Sequence, residues 1–317
     1  MADMAYSKEA LLKKKIGVLL GGPSSEREVS INTGQAVARA LRSSGYNVSE
    51  IDPDKTIATQ LQKGGVEIVF NALHGKWGED GAVQGLLEFV GIPYTGSGIL
   101  ASSLSMNKVI ARLLFRNAGL KVTPGVQISR DTFDCFNIAD LPFPLPVVVK
   151  PTSEGSSIGI NIVHNADEMP AALKEVDACG DDALIEQFVA GREINIAILE
   201  NKALGAIEIK PAEDFYNYAA KYTAGTTQYI FPAPVDEALY EELLVVGLAA
   251  HRALGCSGAT RVDTIVTDSG DIYVLEVNTL PGMTDTSLVP KIAKGLGISF
   301  EELCEQILMN AALHVKG

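Results

Sequence analysis

The chain has 317 residues, 47% hydrophobic and 21% charged, with a formal net charge of −13. This is an ordinary globular balance, long enough for two or three cores. No apolar run approaches the ~20 residues of a membrane helix, and the acidic surplus argues against a nucleic-acid partner. The N-terminus carries lysines but no apolar stretch before a small-residue cleavage site, so it does not read as a secretory signal. Cys135, Cys179, Cys256 and Cys304 lie far apart without a CxxC pair, which suggests neither a zinc site nor a disulfide framework and points to a reducing cytoplasm.

Residues 15–22 (KIGVLLGG) read as a buried strand ending in glycines. Ser25, with Glu28 three positions on, reads as a capping box, and an amphipathic helix runs from there to about Ser44 before Gly45. NVSEIDP with a short helix, and VEIVFNALHG with the segment after Glu79, continue the alternation. Strand and helix alternating in this way build a parallel-sheet α/β domain of roughly 100 residues, with ligand groups at the C-terminal strand ends. A helix over 105–117 leads to a second unit: a strand over 147–150, a Gly/Ser loop, the strand INIVH, a helix over 167–177 and the strand ALIEQFV (183–189). A third unit holds strands over 192–200 and 203–210, an irregular polar segment over 212–228 and a helix over 236–254. A hairpin follows, and a last helix starts at a second capping box, Ser299–Glu302. The whole is α/β and α+β, with no internal repeat and no low-complexity tract.

The hairpin carries the most chemistry. Ser269-Gly270 separates two runs rich in Val, Ile and Tyr. With those two residues as the loop, Asp263 faces Glu276 and Arg261 faces Asn278, and alternation puts all four on one face. Two carboxylates and an amide converging there suit Mg²⁺, with phosphate completing the shell. A solvated strand face is the competing reading, and a different loop length would slip the register.

Lys150-Pro151-Thr152-Ser153-Glu154-Gly155-Ser156-Ser157-Ile158-Gly159 lies between two apolar strands. Its backbone N–H groups and hydroxyls, with the lysine, can cradle an anion. It is not a Walker loop, which opens a helix, and taken alone it is as well read as a hairpin turn. Glu186-Gln187-Phe188-Val189, with Glu193 beyond it, offers a strand edge for an adenine and a carboxylate for ribose hydroxyls, against the plain reading of a partly buried strand. Glu28 is accounted for as a cap; Glu26 is not, and can bind an ammonium group. His74 sits in a glycine-dense turn at another strand end and is read toward the site, whereas His164, His251 and His314 read as surface or helix-face residues. Lys221 and Tyr222 lie in the long irregular segment, which is read as a lid. The Pro281-Gly282 turn and the Ser287 hydroxyl can hold a carboxylate beside Arg261.

Taken together, GGPSSEREVS (21–30), ALHGKWGEDG (72–81), MNK (106–108), KPTSEGSSIG (150–159), AKYTAGTTQY (220–229), TRVD (260–263) and EVNTLPGMTDTSLVP (276–290) resemble the D-alanine–D-alanine ligases of the ATP-grasp superfamily, in order and in spacing over nearly the full chain. The resemblance implies an N-terminal parallel-sheet domain (1–104) followed by a two-subdomain ATP-grasp fold, a central part (105–190) and a C-terminal part with the metal site (191–317). It implies ATP and Mg²⁺ (or Mn²⁺) as cofactors, two molecules of D-alanine as substrates, a cytoplasmic homodimer, and a place in peptidoglycan precursor synthesis. By motif match Asp263, Glu276 and Asn278 hold the metal, and Lys108 and Lys150 contact phosphate. The loop at Ser156 and Ser157 closes over the γ-phosphate. Glu186, Phe188 and Val189 match the adenine segment and Glu193 the ribose-binding glutamate. Glu26 matches the residue that binds the first D-alanine's ammonium, His74 is read as a substrate residue, and Arg261 with the Gly282 backbone serves the oxyanion. Ser287 and Leu288 match the second substrate's carboxylate site. Lys221 and Tyr222 are lid residues, and Tyr222, where D-alanine–D-lactate ligases carry Phe, matches the dipeptide-forming class. Trp77 has no account, and residues 1–14, outside the resemblance, read either as a mobile tail or as residues foreign to the natural chain. Another ATP-grasp carboxylate–amine ligase shares the metal hairpin and the Gly/Ser loop. A non-catalytic nucleotide-binding regulator predicts gaps among Lys150, Arg261, Asp263, Glu276 and Asn278, and none is missing; a Rossmann dehydrogenase lacks its glycine fingerprint.

Overall fold

The computed structural model describes residues 5–155, 158–211 and 227–315. The chain opens with a short helix α1 (Lys8–Leu11) and then alternates: β1 (Lys15–Leu19), α2 (Arg27–Ser43), β2 (Asn47–Ile51), α3 (Ile57–Lys63), β3 (Ile68–Asn71) and α4 (Ala82–Val90). The three strands form a parallel sheet in the order β2-β1-β3, as the alternation requires. The entry to α2 differs from expectation. Its N-cap is Glu26, and Ser25 caps nothing; the hydroxyl that orders the turn is Ser24 Oγ, which accepts the Glu26 N–H at 2.9 Å and donates to the His74 carbonyl at 2.7 Å.

The helix expected over 105–117 is two helices, α5 (Ile99–Met106) and α6 (Lys108–Asn117). Asn107 between them is extended, and its side chain accepts the Ile110 N–H at 3.0 Å to cap α6. A four-stranded antiparallel sheet follows: β4 (Gly125–Ile128), β5 (Val147–Pro151), β6 (Asn161–Val163), α7 (Met169–Ala178) and β7 (Ala183–Gln187), in the order β4-β7-β5-β6.

A second antiparallel sheet is built from β8 (Arg192–Leu199), β9 (Lys202–Pro211), β10 (Thr227–Ile230), then α8 (Glu237–Ala253), β11 (Ala259–Val266) and β12 (Ile272–Asn278), in the order β10-β9-β8-β11-β12. Period-two alternation divides its faces. Ile194, Ile196 and Ile198 pack with Val262, Val274 and Leu243 under α8. The approach is close enough that a Cβ on Gly247 would sit 2.8 Å from Ile196. The opposite face carries Glu193, Asn195, Arg261, Asp263 and Glu276, and it opens on a cleft.

The hairpin pairs Asp263 with Glu276 and Arg261 with Asn278 as expected, but not through a two-residue loop. Gly270 N–H donates to the Thr267 carbonyl at 2.9 Å and Thr267 N–H to the Asp271 carbonyl at 3.0 Å, so the turn spans Thr267 to Gly270, with Gly270 at φ +84°. That turn sets a register of Val266 with Ile272 and Thr264 with Val274. A shift between Asp263 and Thr264 inserts Leu275 as the extra residue and restores the expected pairs.

Two helices end the chain, α9 (Leu288–Gly295) and α10 (Phe300–Met309), the second from the expected Ser299–Glu302 capping box. They return to the first sheet: Leu303, Ile307 and Leu308 share a core with Ile16, Val18, Val37 and Leu41. The N-terminal residues join it. Tyr6 N–H donates to the Met309 carbonyl at 3.0 Å and Leu11 is fully buried, so the part of 1–14 that is described is packed rather than a tail. His251, read as a surface or helix-face residue, lies on the buried face of α8 with Nδ1 2.8 Å from Thr260 Oγ1. Among the described residues no helix is long and apolar enough to cross a membrane, and the four cysteines are unpaired.

Candidate active site

Both antiparallel sheets, with α2 and the turn at His74 from the first domain, line one cleft of about 570 Å³. The described residues read as site residues from sequence all line it: Glu26 and His74 from the first domain, Lys108 from α6, Lys150 and Glu186 from the four-stranded sheet with Phe188 and Val189 just past it, Glu193, Arg261, Asp263, Glu276 and Asn278 from the five-stranded sheet, and Gly282, Ser287 and Leu288 beyond it. Ser156, Ser157, Lys221 and Tyr222 lie outside the described residues.

The floor is the hairpin face. Arg261 donates from Nε to Asp263 Oδ1 at 2.6 Å and from Nη2 to Oδ2 at 2.7 Å, and Asn278 Nδ2 adds a bond to Oδ2 at 3.0 Å. Glu276 Oε2 lies 3.8 Å from the Lys108 ammonium. Among the described residues no three His, Cys, Asp or Glu side chains converge as a metal cage. Two carboxylates and an amide supply only hard oxygen donors and leave room in an octahedral shell, which fits Mg²⁺ bound with phosphate oxygens and not a closed zinc site.

One wall is cationic. Lys108 donates to the Glu154 carbonyl, and Lys150 pairs with Glu186. Glu186 also pairs with Arg112 and accepts from Thr123 Oγ1 at 2.7 Å. Burial, followed by Arg116, pushes the Arg112 guanidinium down to about 10; burial, with Lys108 next, lowers the Lys150 ammonium below its ordinary value. Buried cations of this kind gain from an added polyanion. Arg112 was not singled out from sequence. Its signal is spacing, since it stands one helical turn beyond Lys108 on the inward face of α6.

The strand at 183–189 is not an edge: β7 lies between β4 and β5, and the Gln187 and Phe188 N–H groups donate to the carbonyls of Pro124 and Pro146 at 2.9 and 3.1 Å. The cleft meets the segment just past the strand. Val148, Ile160, Ile265 and Leu275 give it apolar walls from both antiparallel sheets. They fit a flat aromatic base, and the sequence signalled them only as ordinary strand residues.

Across the cleft, the first domain brings Glu26. Two glycines flank its carboxylate: a Cβ on Gly75, which holds φ +69°, would come within 2.6 Å of Oε2, and one on Gly155 within 2.9 Å. Lys76 ties the two segments, its ammonium 2.5 Å from Glu154 Oε1. His74 is fixed at both ring nitrogens, Nε2 3.1 Å from Thr33 Oγ1 and Nδ1 3.3 Å from Glu79 Oε1. Gly282 faces Ser287, where a Cβ would lie 2.8 Å from Oγ, and Ser287 Oγ accepts the Thr284 N–H at 3.1 Å.

The fold is that of an ATP-grasp ligase, a parallel-sheet domain closing on two antiparallel sheets with the cleft between them. The family follows from comparison. The family model for the D-ala D-ala ligase C-terminus matches residues 114–309, and that for the D-ala D-ala ligase N-terminus matches residues 50–97. The chain is 53% identical over 300 residues to a D-alanine–D-alanine ligase of Anaeromyxobacter dehalogenans (strain 2CP-C), covering 95% of this chain and 97% of that protein. A crystal structure of D-alanine–D-alanine ligase from Bacillus anthracis complexed with ATP superposes with a TM-score of 0.79 at 36% identity, over 94% of this chain and 96% of that one. The VanG D-Ala:D-Ser ligase from Enterococcus faecalis superposes with a TM-score of 0.81 at 29% identity, over 94% and 99%. The chain belongs to the D-alanine–D-alanine ligase family.

Proposed function

We propose that the chain joins two D-alanines to D-alanyl-D-alanine with ATP and Mg²⁺, in the cytoplasm and for cell-wall precursor synthesis. The observation that carries the reading is the facing arrangement in one cleft of Glu26, the Lys108–Lys150 wall and the Arg261–Asp263–Glu276–Asn278 face.

The apolar walls and the segment at Phe188 and Val189 take the adenine, Glu193 the ribose, and Lys108 and Lys150 the phosphates. Asp263, Glu276 and Asn278 would hold magnesium, which neutralises phosphate charge during transfer. Glu26 binds the ammonium of the first D-alanine and turns its carboxylate toward the γ-phosphate. A carboxylate oxygen attacks phosphorus, the bond to the β-bridging oxygen breaks, and ADP leaves. The amine of the second D-alanine, held by its carboxylate at Ser287 and Leu288, attacks the acyl carbon. Arg261 and the Gly282 N–H stabilise the oxyanion. The amine loses a proton and phosphate departs with the oxygen it took from the carboxylate.

The similarity to a D-Ala:D-Ser ligase favours one second reading, the same reaction with a different second amino acid. Product separation after incubation with ATP, Mg²⁺ and equimolar D-alanine and D-serine tests both. D-alanyl-D-alanine as the main product is expected; D-alanyl-D-serine as the main product would move the assignment.

A further inference from the structure

We infer that Asn195 is a further positioning residue of this site, its buried amide oxygen accepting a hydrogen bond from a water of hydration of the cation that the carboxylate pair binds. The inference rests on the proposed function, and it starts from an orphaned acceptor. Asn195 is 1% exposed, lines the cleft, and among the described residues its Oδ1 has no hydrogen-bond partner.

Its place in the sheet decides which donor fits. Asn195 on β8 is directly opposite Asp263 on β11, and Asp263 is directly opposite Glu276 on β12. Opposed residues in antiparallel pairs share a face and stand about 5 Å apart. An amide and two carboxylates therefore form one row across three adjacent strands. Among the described residues none donates to this oxygen: Ile207 lies opposite on β9, and Ala197 follows on β8. Arg261 Nε and Nη2 and Asn278 Nδ2 all bond to Asp263. A buried amide oxygen without a donor destabilises the fold, so a sequence that keeps one there has a use for it. Beside two carboxylates, the donor that fits is the water shell of a divalent cation. Magnesium retains several waters, and groups that hold such outer ligands tune metal affinity. Glu193, two residues earlier on the same face, meets the ribose hydroxyls instead.

The test is Mn²⁺ binding, read by electron paramagnetic resonance of the free ion, to the full chain with the β,γ-imido analogue of ATP. Asn195→Leu is expected to weaken Mn²⁺ binding about tenfold or more. It should leave metal-free binding of the analogue unchanged and the melting temperature of the ligand-free protein unchanged or higher, because the orphaned acceptor is gone. Asn195→Ala repeats the measurement should leucine disturb packing. Asn195→Asp, which keeps an acceptor oxygen, is expected to retain Mn²⁺. Wild-type Mn²⁺ affinity in the Leu or Ala variant would overturn the inference, as would equal loss of the analogue with and without metal. Failure of the unaltered chain to bind Mn²⁺ with the analogue would instead remove the proposed function itself.

Discussion

Arg261 and Asp263 share one face of β11 and are joined by two bonds of 2.6 and 2.7 Å. The residue proposed for the oxyanion is thus held by a residue proposed for the metal. Removing the guanidinium frees a buried carboxylate to meet a cation. Arg261→Met is expected to lower kcat by about 10²–10³, the loss typical of an oxyanion donor. Mn²⁺ affinity in the same variant should be retained or tighter. Steady-state kinetics with metal titration checks both, and a parallel collapse of metal binding would count against the division of roles.

Glu26 approaches Gly75 and Gly155 closely, and the role proposed for it is to bind the first amino acid and not ATP. Glu26→Gln should raise the KM for D-alanine by tenfold or more, an ionic hydrogen bond being worth about 1.5–3 kcal/mol. The KM for ATP should move little. Equal losses for both substrates in initial-rate measurements would contradict this role.

Glu186 is buried between Arg112 and Lys150. Glu186→Gln keeps the shape and leaves two buried cations without their counter-charge, which costs about 3–5 kcal/mol. The urea midpoint should fall accordingly, and a change below ~1 kcal/mol would mean the cations are solvated.

His251 sets an acid limit. Burial first, then Arg252, pushes its ring down to about 4, whereas an unfolded histidine titrates near 6.5. Between these values the unfolded chain binds the extra proton, so stability rises with pH through the window and is fully present above it. Acidification from pH 7 to 4 should remove up to about 3 kcal/mol through this residue. His251→Gln should flatten that part of the urea-unfolding profile; an unchanged profile would show that the ring is already charged or exposed.

Much of this was legible in the sequence, for physical reasons that differ by residue. Alternation gave the parallel sheet, and period two gave the shared face of Arg261, Asp263, Glu276 and Asn278. The pairing was right although the turn was not: the Thr267–Gly270 turn and the extra Leu275 offset each other by one residue each. Local rules failed where tertiary contacts decide. Ser25–Glu28 has the pattern of a capping box, but Ser24 is the residue held by the His74 carbonyl. The strand at 183–189 looked like an edge because strand order cannot be read along a chain. Arg112, Asn195 and the apolar walls carry no motif of their own and enter the site through register and helix spacing.

The most direct test of the central claim uses D-alanine labelled with ¹⁸O in its carboxylate, turned over with ATP and Mg²⁺. Transfer of the γ-phosphoryl group to that carboxylate predicts inorganic phosphate carrying one ¹⁸O for each dipeptide formed. Unlabelled phosphate, or label appearing in AMP, would contradict the acyl phosphate route and with it the role given to this cleft.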